Sequence, residues 1–270
     1  MSIITFTTDY KRSDYYLGAL KGRIAGILPD IQLIDLAVGL EPFNILKAAF
    51  NVSQAFVYFP KGSIHLICMD SLCNPDKGHI ILYYEGHIFI TPDNGIAGLL
   101  FEKPLEKVIR ASKKEVENTL FPELEIYPNI IEKLLSHSPE SEIGLQTNDF
   151  RKSQPYLATY EKNIIVGKVI YIDSFGNAIS NITKDLFEMV GKNMRFEIFV
   201  QSRKNLLTCI SKNYSEVSEG EFLAVFNSSD LLEVAVNKGN IATLLGLTTD
   251  SSIRIKFDDH YHYEANRTTL

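Results

Sequence analysis

The sequence lacks tryptophan and contains only three cysteines, Cys68, Cys73 and Cys209, among 270 residues. No CxxC pair occurs and the six histidines are scattered, so we expect neither a disulfide framework nor a structural metal site. No apolar run approaches the roughly 20 residues that cross a bilayer. The start of the chain turns polar after a short apolar stretch, which is not a signal-peptide pattern. We therefore expect a cytoplasmic protein with no membrane partner.

Positive charge and the common nucleotide-binding motifs are also lacking. The chain has 27 Lys and Arg against 33 Asp and Glu, a net charge of −6, and its basic residues form no stripe that fits a phosphate backbone. The patterns GxxxxGK[ST], GxGxxG after the first strand and GxSxG are all missing, which disfavours a P-loop or a serine hydrolase elbow. We therefore expect no nucleic acid partner.

The whole chain is 45% hydrophobic, and its first half alternates apolar runs with helical periodicity. Residues 2–8 and 31–37 are typical of buried strands, and 15–27 place apolar residues on one helical face. This βαβ opening predicts a mostly parallel sheet covered by helices. Further along we predict a helix at 44–58, a strand at 63–70, a hairpin around Glu85 and Gly86, and a short helix at 129–136.

The second half has a different character. From about Gly167, short β-branched or aromatic runs are separated by Gly, Asn, Ser and Lys, which predicts an antiparallel barrel or sandwich. The polar stretch from Gly144 to Lys162 is the expected linker. We therefore predict an α/β domain at 1–160 and a β domain at 161–270.

Two carboxylates follow predicted strands, where open α/β sheets place ligand sites. Asp9 can accept two hydrogen bonds from a vicinal diol such as that of ribose, or it can cap the next helix. Asp70 is followed by Asp76, Lys77 and His79. A carboxylate near an ammonium group keeps its charge and can orient a water, although a turn that caps local amides is the alternative.

Three later segments are rich in polar groups. PDNG (92–95) is a turn that can be purely structural. DSFGNAISN (173–181) concentrates an acid, an aromatic, a glycine and two amides, and an Asn amide can bind an adenine-like edge at two points. NSSDLLEVAVNKGN (227–240) carries polar residues at both ends of an apolar strand.

Seven blocks occur in a characteristic order: TTDY (7–10), DYYLGALKG (14–22), 28–50, FPKGSIH (59–65), TPDNG (91–95), IDSFGNAISNI (172–182) and 227–247. Taken together, these blocks resemble the S-adenosyl-L-methionine hydroxide adenosyltransferase family, which includes enzymes that make adenosyl chloride and adenosyl fluoride. The resemblance implies an α/β domain with a mostly parallel sheet, then a β-barrel domain. It also implies a homotrimer that binds S-adenosylmethionine between the first domain of one subunit and the second domain of its neighbour, with no metal or organic cofactor.

The implied reaction is substitution at the ribose 5′ carbon, and in the hydrolytic branch water gives adenosine and L-methionine. The positive charge of the sulfonium fades in the transition state, so excluding water around it and holding the nucleophile in line both accelerate the step. By position, Asp9 corresponds to the residue that holds the ribose hydroxyls and Phe43 to an aromatic against the substrate. Asp173 corresponds to a group that holds the methionine amine, and Asn177 to one that binds the adenine edge.

The segment 227–240 supplies three further positions that the resemblance places at the substrate. Ser228 corresponds to a residue near the methionine carboxylate, and Val236 and Asn237 fall where the backbone meets adenine. Each of these assignments has a structural alternative, because Ser228 and Asn237 can be turn residues and Phe43 can be ordinary core.

The sequence departs from the family at the catalytic centre. Hydrolytic members carry an Asp, Arg and His set that positions the water. Here Asp70 is present, but Lys77 stands at the Arg position and Pro122, in FPELE, at the His position. Lysine lacks the planar fork of arginine, and the proline side chain can neither donate nor accept a proton.

Three hypotheses follow. The leading one is that Asp70, Lys77 and His79 rebuild the water site and that the protein hydrolyses S-adenosylmethionine. The second is a protein that binds adenosyl ligands without turnover, and the third is a structural oligomer. Halogenation is disfavoured because the carboxylate of Asp70 would repel a halide.

Overall fold

The chain forms two compact units, Met1–Pro155 and Tyr156–Leu270. The computed structural model describes residues 3–71, 78–101, 103–112, 120–191 and 194–258. No helix within these ranges has the length and apolar composition needed to span a membrane.

A seven-stranded sheet with the order β2-β1-β3-β5-β4-β6-β7 forms the centre of the first unit. The pairs β1/β2, β1/β3 and β3/β5 are parallel, whereas β4 and β7 run antiparallel to their neighbours. The mostly parallel sheet is therefore confirmed. The strands are β1 (Ile3–Thr8), β2 (Gln32–Val38), β3 (Ile64–Cys68), β4 (His79–Tyr84), β5 (His87–Pro92), β6 (Lys107–Ala111) and β7 (Gly144–Gln146).

Helices cover both faces of this sheet. Leu66 and Cys68 of β3 belong to the core on one face, and Ile67 with Met69 to the core on the other, because successive strand side chains point to opposite faces. The first core is closed by α1 and α4, and the second by α2 and α3. The helices are α1 (Tyr15–Ile27), α2 (Ile45–Ala55), α3 (Ala97–Leu100), α4 (Pro122–Leu135) and α5 (Glu140–Ile143), with a short 3-10 turn at Phe56–Tyr58.

Two local predictions differ from the structure. The helix predicted at 129–136 begins at Pro122 and contains Pro128. Proline fits the first helical position but normally interrupts a helix interior, so the sequence pattern favoured a later start. Burial of Ile126, Tyr127 and Ile130 in the core stabilises the helix through Pro128. The stretch expected as a linker also contributes β7 to the sheet.

The second unit is an antiparallel, nearly closed barrel with the strand order β12-β11-β15-β9-β10-β14-β13, and β8 pairs with β9. Alternate residues of β15, Ile253, Ile255 and Phe257, are buried in its core, as a strand with one solvated face requires. The predicted antiparallel β-rich half is confirmed. Its elements are β8 (Thr159–Glu161), β9 (Ile164–Ile172), β10 (Ala178–Thr183), α6 (Lys184–Gly191), β11 (Phe196–Val200), β12 (Leu206–Leu207), a 3-10 turn (Tyr214–Glu216), β13 (Phe222–Phe226), β14 (Leu231–Val236), α7 (Ile241–Leu245) and β15 (Ser252–Phe257).

Candidate active site

Two carboxylates lie at the carboxyl edge of the parallel sheet. Strands β1 and β3 are neighbours, with Thr8 opposite Cys68, so Asp9 and Asp70 leave the sheet side by side. A third carboxylate, Glu123 of α4, contacts Ser71, the residue after Asp70. We call Asp9, Asp70 and Glu123 the acidic edge. It lies where α/β sheets place their ligand sites.

Asp9 is half-buried and only partly engaged. Its Oδ2 accepts the backbone N–H of Phe43 at 3.1 Å. Burial raises the pKa of Asp9, the N–H bonds of Phe43 and of Asp9 itself oppose that shift, and the charge of Asp70 adds to it. Helix α1 begins at Tyr15 with Asp14 at its N-cap, so Asp9 is not the cap of this helix. Within the described part of the chain, no other side chain is hydrogen-bonded to this carboxylate, so it can still accept from a diol.

Phe43 has an unusual backbone and an exposed ring. Its φ is 63°, a left-handed conformation that is rare for an aromatic residue and is a form of strain concentrated at functional sites. Phe43 is 72% exposed, which does not fit the alternative that it is an ordinary core residue. An exposed ring beside Asp9 is suited to packing on a flat ligand.

Asp70 also has a left-handed backbone, with φ of 47°, which Asp and Asn tolerate better than other residues with side chains. Asn94 of the PDNG turn holds this strand end, because its Nδ2 donates to the Met69 carbonyl at 2.8 Å. Lys77 and Asp76 lie outside the described residues, so the predicted partnership of Lys77 with Asp70 stays a prediction.

The PDNG turn has a second anchor. The buried carboxylate of Asp93 accepts Arg110 Nη1 at 3.0 Å and the Arg151 backbone N–H at 2.7 Å. This arrangement ties the turn after β5 to strand β6 and to the segment after β7. The structural interpretation of PDNG therefore fits its contacts.

Glu123 is fully buried at the start of α4. Its Oε1 accepts the hydroxyl of Ser71, and its Oε2 has no hydrogen-bond partner within the described ranges. Burial raises the pKa of Glu123; the hydroxyls of Ser71 and Tyr10 act against this shift, and the charge of Asp9 adds to it. The sequence interpretation of this segment noted Pro122, which lies at the first position of α4, and missed Glu123. An acidic residue directly after the proline was the available signal.

An aromatic cluster fixes the start of α4 against the end of β1. Tyr10 stacks on Tyr16 with ring centroids 5.2 Å apart, and both meet Phe121 edge to face at 5.6 and 5.4 Å. Such contacts contribute about 0.5–1.5 kcal/mol each beyond burial. They hold Glu123 close to Asp9.

His79 begins β4 and is buried. Because β4 is antiparallel to β5, its first residue lies at the same edge as the end of β3. Its Nδ1 lies 3.1 Å from the Tyr127 hydroxyl, and burial lowers the pKa of His79 to about 4. The imidazole is therefore neutral near pH 7, and its role in a water site stays a prediction.

The second unit presents its candidate residues on two loops. After β9, both oxygens of Asp173 accept hydrogen bonds from within the loop, Oδ1 from the Phe175 and Asn177 N–H groups at 2.9 Å and Oδ2 from Asn177 Nδ2 at 3.1 Å. Gly176 has φ of 81°, and a Cβ there would lie 2.1 Å from Asn240, so only glycine fits. The loop orients Asp173 and Asn177 relative to each other.

The second loop, between β13 and β14, carries Ser228. Ser228 is exposed, and its turn is anchored by buried Glu233, whose oxygens accept Tyr214 Oη at 2.5 Å and Asn227 Nδ2 at 3.2 Å. This network leaves Ser228 facing solvent on a fixed turn. Its assignment to the methionine carboxylate stays a prediction.

Val236 is the last residue of β14, and Asn237 directly follows it. Val236 is buried in the barrel core. The Asn237 N–H donates to the Glu221 carbonyl and its own carbonyl accepts the Gly220 N–H, while its Nδ2 donates to the Val217 carbonyl at 2.8 Å. Asn237 is thus a turn residue whose carbonyl keeps a second lone pair for a ligand.

Taken together, the first unit has the features of an α/β enzyme that binds a small ligand at the carboxyl edge of its sheet. Two family models match most of the chain: the SAM hydroxide adenosyltransferase N-terminal domain at residues 4–144 and its C-terminal domain at 167–254. The chain therefore belongs to the S-adenosylmethionine hydroxide adenosyltransferase family.

Similar proteins agree with this assignment over nearly the full length. The (R)-S-adenosyl-L-methionine hydrolase of Methanocaldococcus jannaschii is 28% identical, with 94% of this chain and 96% of the relative covered. The hydrolase of the same name from Salinispora tropica is 25% identical, with 93% and 97% covered. A crystal structure of a conserved protein from Thermotoga maritima superimposes with a TM-score of 0.84 at 25% identity, covering 94% of this chain and 99% of the other.

Proposed function

We propose that this protein hydrolyses S-adenosyl-L-methionine by attack of water at the ribose 5′ carbon, giving adenosine and L-methionine. The observation that carries the proposal is the position of Asp9 and Asp70 at the ends of adjacent parallel strands. Relatives named as S-adenosylmethionine hydrolases support it along most of the chain.

In this proposal some residues of the first unit bind the substrate and another positions the attacking water. Asp9 accepts both ribose hydroxyls and fixes the sugar, and Phe43 packs against the substrate. Asp70 accepts a hydrogen bond from the attacking water and holds it in line with the bond from the 5′ carbon to sulfur. Orientation of this kind removes much of the entropic barrier of a bimolecular reaction.

The second unit of a neighbouring subunit provides the groups for the two ends of the substrate. Asp173 holds the methionine amine and Ser228 its carboxylate. Asn177 binds the adenine edge with the backbone at Val236 and Asn237. We also propose that the protein is a cytoplasmic homotrimer with its sites at subunit interfaces. The mass measured by light scattering on the purified chain tests the trimer.

Product analysis tests the proposed reaction. Purified protein incubated with S-adenosylmethionine should yield adenosine and methionine in equal amounts by chromatography, and added chloride or fluoride should yield no 5′-halogenated adenosine. Absence of adenosine at high protein concentration contradicts the proposal.

Pro122 at the expected histidine position favours one second candidate, a protein that binds adenosyl ligands without turnover. Calorimetry distinguishes the two. Binding of S-adenosylmethionine with no product formed over the same period would support the second candidate.

The exposed ring of Phe43 gives a prediction about binding. Phe43→Ala should raise KM for S-adenosylmethionine about 10- to 100-fold with little change in kcat, because burying a phenyl ring contributes about 1.5–3 kcal/mol. The melting temperature should not change, because the ring is exposed and the backbone N–H to Asp9 remains. Tyr58→Ala, which removes another aromatic that is 80% exposed, is the matched control and should behave as wild type. An unchanged KM in Phe43→Ala would remove this residue from the site.

A further inference from the structure

Glu123 combines features that an ordinary core position does not explain. A fully buried carboxylate is costly unless its oxygens are hydrogen-bonded. The Tyr10 hydroxyl is close enough to Glu123 to lower its pKa, yet Oε2 of Glu123 has no hydrogen bond of normal geometry among the described residues. The adjacent position in the helix, Leu124, is half-buried, and Glu125 is exposed. The sequence thus places one acid of this turn inside the protein and another in solvent.

Ser71 connects this buried carboxylate to the candidate water site. Its hydroxyl donates to Glu123 Oε1, and it directly follows Asp70 in the chain. Ser71 is half-buried, whereas Glu123 is not exposed at all. A serine oxygen that donates to a carboxylate keeps two lone pairs with which to accept a hydrogen bond from water.

We propose that Ser71 and Glu123 form a proton relay for the hydrolysis, with Glu123 as the final proton acceptor. The proposal rests on the proposed function of the acidic edge. Pro122 cannot take a proton, and the next residue of the same helix turn supplies a group that can. Glu123 acts through Ser71 and is a positioning residue, whereas Ser71 touches the water.

The step balances without any co-reactant. The water oxygen forms a bond to the ribose 5′ carbon as the bond from that carbon to sulfur breaks, and the electron pair goes to the sulfur of methionine. One water proton passes to Ser71 Oγ while the hydroxyl proton of Ser71 passes to Glu123 Oε1. Release of that proton to solvent after product departure restores the carboxylate.

The titratable groups that face Glu123 come from three elements. Asp9 and Tyr10 face it from the end of β1, Cys68 from β3 and Tyr127 from α4 itself. Burial raises the pKa of Tyr10, Cys68 and Tyr127 above their ordinary values, so these three stay neutral at low and neutral pH. Asp9 binds the ribose, so its protonation acts on KM.

The relay predicts how kcat for adenosine formation depends on pH. The pKa of Glu123 lies above its ordinary value of 4.5, and only the ionised form accepts a proton. The kcat of wild-type protein at saturating S-adenosylmethionine should therefore fall as the pH drops through a pKa above that value. A base whose pKa approaches the working pH is favoured for this role.

The test measures kcat, KM and the pH profile of adenosine formation in the wild type, Glu123→Gln, Ser71→Ala and the double variant. Glu123→Gln should lower kcat about 100-fold with KM unchanged, and the part of the acidic limb that comes from Glu123 should be lost from its pH profile. Ser71→Ala should lower kcat by a similar factor. The double variant should be no slower than the slower single variant, because both changes interrupt one path.

Glu125→Gln is the matched control, since it removes an exposed acid from the same helix turn, and it should behave as wild type. Glu123→Gln should melt no lower than wild type at pH 7, because ionising a carboxyl whose pKa is raised by folding costs stability. If Glu123→Gln does not fold, Ser71→Ala and its pH profile decide the question.

Failure of the proposed function and failure of the relay alone give different results. No adenosine from wild-type protein would overturn the proposed function and the relay with it. Adenosine from wild type, with kcat of Glu123→Gln or of folded Ser71→Ala within threefold of it, would overturn the relay alone. Multiplicative losses in the double variant would also overturn it.

Discussion

Asp70→Asn is expected to lower kcat for S-adenosylmethionine hydrolysis by about 10³-fold, within the range seen when a positioned acid or base is removed. The substitution removes the charge that holds the attacking water and keeps the size of the side chain. Asparagine also tolerates the left-handed backbone at this position, where φ is 47°, so the loop does not have to rearrange. KM for S-adenosylmethionine should therefore change little.

A matched control separates the charge from the backbone. Asp250 is an exposed aspartate in the second unit that also has positive φ, 82°. Asp250→Asn should leave kcat at the wild-type value. A wild-type kcat in Asp70→Asn would contradict the role assigned to Asp70, and a parallel rise in KM would move that role from the water to substrate binding.

Asp9→Ala is expected to weaken binding of S-adenosylmethionine and adenosine by about 10²- to 10⁴-fold. Two hydrogen bonds from the ribose diol to a carboxylate contribute about 1.5–3 kcal/mol each, and 1.4 kcal/mol corresponds to a factor of ten in affinity. Isothermal calorimetry with adenosine measures this loss without interference from turnover. The partner N–H of Phe43 is exposed enough to be hydrated in the variant, so folding should persist.

Asp14→Ala is the control for Asp9. Asp14 is exposed at the N-cap of α1 and its side chain makes no capping hydrogen bond, so its removal should not affect affinity. Binding of 2′-deoxyadenosine adds a second check, because it lacks one of the two hydroxyls. If Asp9 holds the diol, wild-type protein should prefer adenosine and Asp9→Ala should lose most of that preference.

Much of the fold could be predicted from local sequence patterns. The βαβ opening, the hairpin at Glu85 and Gly86 and the antiparallel second half follow from apolar periodicity and turn residues, and the structure confirms them. Both turn residues of the hairpin have positive φ, 49° and 81°, as a tight two-residue connection requires. Asp9 and Asp70 lie side by side because the strands that precede them, β1 and β3, pair in parallel.

The third carboxylate could not be predicted in the same way. Glu123 belongs to the site because α4 starts seven residues earlier than the periodicity indicated, and because an aromatic cluster joins residues far apart in sequence. Contacts such as those of Ser71 with Glu123 and His79 with Tyr127 span 52 and 48 residues. Periodicity describes which face of an element is buried, not which side chains meet across elements.

Folding changes the affinity of the acidic edge for protons. Burial raises the pKa values of Asp9 and Glu123, so the folded protein binds protons there more strongly than the unfolded chain. Its stability should therefore fall as the pH rises through these pKa values. A cationic sulfonium ligand would offset this effect, and the gain in melting temperature on adding S-adenosylmethionine should increase over the same pH range.

Hydrolysis in water enriched in oxygen-18 tests the central claim most directly. Purified protein, S-adenosylmethionine and H2¹⁸O should give adenosine whose 5′ hydroxyl carries one ¹⁸O atom and methionine that carries none, as mass spectrometry of both products shows. Adenosine without the label, label in methionine, or no adenosine at all would contradict attack of water at the ribose 5′ carbon.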